Sequence, residues 1–188
     1  MTVCGALRIG GVLLAATLVI GCSTSEPSQL SKISFNPPAW IAAPQNYSRF
    51  AASGGSQQIS KSVQLEQVEA TGIATEKLQA QLQPIAAMAA EAIFDEGENR
   101  RLAVALAAAK MRGSFTIVNQ WFSPYNEQFV LLTITEDDVR RSIASAFERI
   151  GMIGGVNLSN EAIDFAIGQA IDQAAEPSAS DNNSSERS

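Results

Sequence analysis

The chain has 188 residues, a formal net charge of -6 and no histidine. An acidic balance is the wrong sign for nucleic acid, whose phosphates demand a basic face, and for electrostatic adhesion to anionic lipid. Without histidine, the commonest general base, the commonest metal ligand and every His-dependent nucleophile triad are excluded.

The first element is an apolar run. After the single basic residue Arg8, the segment Ile9 to Ile20 would cover roughly 18 Å as a helix, well short of the ~30 Å hydrocarbon core of a bilayer. Residues 1–21 therefore read as a secretory signal peptide. Val19-Ile20-Gly21-Cys22 fits the junction of bacterial lipoprotein signals: small Gly21 lets a peptidase approach the backbone, and Cys22 carries a diacylglyceryl group. Cleavage is expected between Gly21 and Cys22. With about 0.8 kcal/mol per buried methylene, several acyl chains make attachment effectively permanent. The expected partner is thus a membrane, reached through lipid, and Ser23 after the cysteine favours the outer membrane. Cys4 leaves with the leader, so the mature chain has no thiol chemistry and no disulfide. Its stability must come from one core.

Residues 22–36 are rich in Ser, Pro and polar groups and read as a flexible tether. Residues 37–152 read as the folded domain, 153–175 as a C-terminal helix and 176–188 as a disordered tail that cannot offset its chain entropy. In "NPPAWIAAP" the paired prolines predict extended chain, with Trp40 and Ile41 pinned on the core. "YSRFAASGG" predicts a short strand closed by Gly54-Gly55. Apolar residues Ile59, Val63, Val68, Ala74, Leu78 and Leu82 mark a half-buried helix over about 56–83, weakened by Gly72 and ended or kinked by Pro84. Alanine-rich helix resumes over Ile85 to Phe94, breaks near "DEGEN" and runs again from Arg100 to Arg112.

"SFTIVNQWF", "SPYNEQ" and "FVLLTIT" predict an antiparallel hairpin turned at Pro124 and Asn126. Thr135 then caps a helix whose first turn holds Glu136, Asp137 and Asp138, where acids suit the positive end of the helix dipole. That helix should reach about Ile150 and break at "GMIGG". Ser159 should cap a last amphipathic helix carrying Ile163, Phe165, Ile167 and Ile171. The fold class is α+β.

Few residues offer chemistry. Asp95, Glu96 and Glu98 lack the ligand alternation and mid-loop glycine of a calcium loop and read as a solvated connection. Glu136, Asp137 and Asp138 are explained by capping. Gly54-Gly55 lacks the Lys or full glycine fingerprint of a phosphate loop and reads as a strand end. Lys61 with Ser62, or Lys110 with Ser114, are the only dyad candidates. Trp121, Phe122, Tyr125 and Phe129 around the hairpin could form a binding patch or close one end of the core. No metal, no cofactor and no enzymatic activity are expected.

The order of these parts resembles the Lpp-twenty lipoprotein family, outer-membrane lipoproteins of about this size, some flagellum-associated. The resemblance lies in "PPAW" with Ile41 after a lipidated tether, "YSRFAASG", "ATEKLQAQL" and "IVNQWFSPYNEQFVLLTITEDDVRRSI", covering about Pro37 to Met152. Glu76-Lys77 stands where the family usually has Ala-Arg, and the last helix lies outside the match. The resemblance implies a three-stranded antiparallel sheet packed on a long helix, and no catalytic residues. The expected function is a lipid-anchored envelope lipoprotein with a structural or assembly role, possible in the flagellar apparatus, working as a homo-oligomer or with an envelope protein through exposed sheet edges. The alternative is a periplasmic ligand-binding module using the aromatic hairpin.

Overall fold

The computed structural model describes residues 36–56 and 62–175. The leader, the lipidation junction at Gly21 and Cys22, almost all of the expected tether, Ile59, Lys61 and the tail therefore lie outside the described residues. Among the described residues no helix is long and apolar enough to cross a membrane.

The expected α+β class is what the chain adopts. Pro37 and Pro38 lead into one helical turn, α1 (Ala39–Ala42), then a short 3-10 turn at Pro44–Asn46. The expected extended segment is thus replaced by a turn of helix, because Pro38 at the N-cap leaves the following residues free to close onto its carbonyl: Ile41 N donates to Pro38 O at 3.0 Å. Strand β1 (Ala51–Gly55) follows, then α2 (Val63–Ile93), α3 (Glu98–Gly113), β2 (Thr116–Phe122), β3 (Gln128–Thr133), α4 (Glu136–Gly154) and α5 (Asn160–Gln173). The sheet is antiparallel in the order β1-β3-β2.

Helix α2 differs from its sequence pattern in two ways. Its buried row is Glu66, Ala70, Ala74, Leu78 and Leu82, a strict four-residue spacing, while Val63 and Val68 are 55% and 69% exposed. The row is set by alanines, which hydrophobic patterning underweights. The helix also does not end at Pro84 but continues to Ile93. Pro84 and Ala80, whose carbonyl loses its partner, both lie on the exposed face, where water can satisfy that carbonyl, and the fully buried Leu82 and Ile85 hold the helix from the other side.

The two halves of α2 have different neighbours. Its N-terminal half packs under β1 and β3. Its C-terminal half joins α3, α4 and α5, with α2 against α3, α3 against α4, α4 against α5 and α5 back against α2. Helices α3 and α4, linked through the hairpin, run antiparallel: the end of α4 lies by the start of α3, since a Cβ at Gly154 would stand 2.7 Å from Asn99 Nδ2. Phe94 and Phe147 meet edge to face at 5.3 Å, worth about 1 kcal/mol beyond their buried area.

Caps set the ends. Thr135 Oγ1 accepts from Asp138 N at 3.1 Å, and Ser159 Oγ accepts from Ala162 N at 3.2 Å, both as expected. Helix α4 ends within "GMIGG" as expected, but at its last residue instead of its first. Gly151 is buried, packs on Leu158 and stays helical; the turn falls at Gly155, whose φ of 67° lies in the left-handed region that favours glycine. Helix α5 buries Ile163, Ile167 and Ile171 in the shared core, while Phe165, expected on that face, is 67% exposed.

Candidate functional site

The two edges of the sheet are the first place to look for recognition. On β1, Ser56 N donates to Gln128 O at 2.8 Å and Ile134 N to Phe50 O at 3.1 Å. Bonded pairs alternate along an antiparallel ladder, so Ala52 and Gly54 face β3 and Ser53 turns its backbone to the open edge. That edge is guarded: Lys77 Nζ from α2 donates to Ser53 O at 3.0 Å. On the sheet face turned from α2, Ser53 Oγ donates to Ile41 O at 2.8 Å, which seats α1 there.

At the other edge, Ser123 N donates to Glu127 O at 2.8 Å. The same alternation turns the backbone of Phe122 and Gln120 away from β3. Every residue of β2 is at least partly exposed, none of "TIVNQWF" is charged, and Ile117, Val118 and Phe122 all show apolar surface. Pairing slips between Ile117 and Asn119 at a bulge, the only edge-blunting device on this strand among the described residues.

The four aromatic residues expected as one patch are divided by the pleat. Trp121 and Phe129 are paired across the ladder and pack at 5.6 Å, tilted by 45°. Phe129 reaches over β1, since a Cβ on Gly55 would stand 2.6 Å from its ring. Phe122 pairs with Gln128 and so lies on the opposite face, half in water. Tyr125 sits on the exposed turn, where Asn126 takes a φ of 63° and Ser123 Oγ accepts from Tyr125 N and Glu127 N. Gln128 is fully buried; its Nε2 donates to Gln120 Oε1 at 3.4 Å, and its Oε1 has no partner among the described residues.

The remaining candidates resolve into structural roles. Ser114 Oγ donates to the Lys110 carbonyl at 3.5 Å rather than meeting its ammonium. Glu136 joins Arg49 at 3.3 Å and Arg140 at 2.7 Å, and Asp138 joins Arg141. Asp95, Glu96 and Glu98 are exposed between α2 and α3, and among the described residues no group of acidic or other ligand-type side chains could hold a metal. The strand ends at Gly55, as expected, and Gly54 is no phosphate loop. It lies within β1 under α2, where a Cβ would stand 2.1 Å from Ala70 O and 2.5 Å from Ala74 N.

One surface escaped the sequence reading. Between α2 and α3 runs an open groove of about 710 Å³, floored by Ala87, Ala105 and Ala109 and rimmed by Arg100, Arg101 and Arg112. Arg112 donates to Gln79 Oε1 across it, and Arg100 Nε donates to Phe94 O at 3.1 Å. Which alanines of these helices stay uncovered depends on helix pairing, which periodicity does not encode.

No protein-family model matches the chain, and no curated protein matches it.

Proposed function

We propose that this chain is a lipid-anchored, non-enzymatic protein of the outer membrane that acts by assembling with further copies of itself. The observation that carries the assembly reading is the unequal treatment of the two sheet edges: β1 is sealed by Lys77, and β2 is left uncharged, partly apolar and open. An exposed strand of that kind pairs readily with another strand. The anchor reading rests on the Val19–Cys22 junction of the sequence, and the resemblance to the Lpp-twenty family accords with both. The aromatic residues of the hairpin, divided between two faces, give the ligand-binding alternative no converging site.

The test has two arms. In a bacterium with two membranes, Cys22→Ser should leave the full chain unprocessed or released from envelope fractions; unchanged membrane attachment would overturn the anchor. Single cysteines placed in turn at Thr116, Val118 and Gln120 of the full chain should give disulfide-linked dimers on oxidation at one position at least. Monomer at all three would overturn pairing through β2.

A further inference from the structure

The groove between α2 and α3 has a counterpart elsewhere on the same molecule. Along α3, Arg101, Ala105, Ala108 and Arg112 are spaced i, i+4, i+7, i+11. Eleven residues are close to three helical turns, about 16 Å, so both arginines lie on one face with the alanines between them. All four line the groove. Along α5, Glu161, Phe165, Gly168 and Asp172 have the same spacing. Glu161, Phe165 and Asp172 are exposed, on the side of α5 away from the buried Ile163, Ile167 and Ile171. One helix face thus presents cation, two small residues and cation; the other presents anion, a large apolar side chain, a glycine and anion.

We propose that the outer face of α5 from one copy docks into the α2–α3 groove of another. Phe165 would lie on the alanine floor, with Glu161 and Asp172 against the two arginine ends. Three arginines and one glutamate, Glu91, line the groove of a chain whose net charge is -6, so an acidic helix is the occupant its charge selects. Glu161 and Asp172 form no ion pair among the described residues; the two cations beside α5, Arg140 near Gly168 and Arg49 on the Ile171 carbonyl, are both paired with Glu136. Within one molecule the two surfaces cannot meet, because α5 packs on α2 through its opposite face. A contact between two different patches is head-to-tail, so it propagates into a ring or a filament instead of stopping at a dimer. The inference rests on the assembly reading only for its setting; it uses a surface separate from β2.

The experiment is disulfide trapping of the full chain in its own envelope. Ala105→Cys with Gln169→Cys in one chain should give a ladder of dimers, trimers and larger species on oxidation. Either cysteine alone should give no species above dimer. Arg101→Glu with Arg112→Glu, built into the paired-cysteine chain, should reduce the ladder at least tenfold, as should Glu161→Lys with Asp172→Lys. Coexpressing the two charge-reversed chains should restore it. Absence of a ladder from the paired cysteines, cross-links only to a different protein, or a ladder indifferent to charge reversal would overturn the proposal. Because the β2 cysteines report separately, dimers there without a ladder here would remove this inference and leave the assembly reading in place.

Discussion

The two edges of one small sheet were built by different means, and the difference is instructive. Strand β1 is short, glycine-bearing and pressed so closely on α2 that the helix itself supplies the guard, with Lys77 reaching the Ser53 carbonyl at 3.0 Å. Strand β2 has seven residues, no charge and no helix beneath its exposed Ile117 and Phe122. Both belong to the same sheet and both border water. Closing an edge here takes a long helix at close range, and α2 is close only where glycine and alanine let it be.

The strongest way to break that contrast is at Gly54. Its missing Cβ would fall 2.1 Å from Ala70 O and 2.5 Å from Ala74 N, backbone atoms of α2 that cannot swing aside. Gly54→Ala should therefore cost about 3 kcal/mol, at the upper end for overpacking, and would lift the helix from β1. The neighbouring Gly55→Ala meets only the Phe129 ring, 2.6 Å away at the end of a side chain, and should cost about 1 kcal/mol. Chemical denaturation midpoints of the two variants check the ranking; equal costs would mean α2 does not set the β1 edge.

These glycines also mark what was legible in the sequence. The hairpin could be read directly, because Pro124 and Asn126 between β-rich runs, and Thr135 ahead of three acids, are local signals whose meaning does not depend on the rest of the fold. The Gly54-Gly55 pair could be read as the end of a strand, but only the approach of a helix some twenty residues later gives Gly54 its further role. Pro84 misled for a related reason: its effect depends on whether Ala80 faces water, which packing decides. Of the candidate sites, the open strand could be foreseen from its apolar composition, and the split of Trp121 from Phe122 followed from the pleat. The groove could not be foreseen, because it needs two helices placed side by side and a third kept off them.

A milder way to test the edges is to remove the guard alone. Lys77→Met keeps most of the stem and loses the bond to Ser53 O, a single charge-assisted hydrogen bond on an exposed side chain, so about 1 kcal/mol should be lost. Lys77→Arg, which can still donate, should recover part of it. If Lys77→Met matches the parent in denaturation midpoint, the contact does not seal β1, and the asymmetry between the edges rests on α1 and Gly54.

The smallest effect on stability should accompany a clear effect on assembly. Val118 stands at the bulge of β2, partly exposed, with no partner across the ladder. Val118→Lys adds a charge where nothing in the monomer packs tightly, and exposed substitutions of this kind stay within about 0.5 kcal/mol. An edge carrying lysine, however, cannot align with a second strand without bringing that charge against apolar neighbours or its own symmetry mate. Placed in the chain bearing Thr116→Cys or Gln120→Cys, whichever dimerises, it should lower the yield of oxidised dimer at least fivefold while the denaturation midpoint stays where it was. A dimer yield that does not change would show that β2 is open without being an interface. An unchanged yield alongside an intact helix-groove ladder would move the whole of the assembly onto α5 and the arginine-rimmed groove.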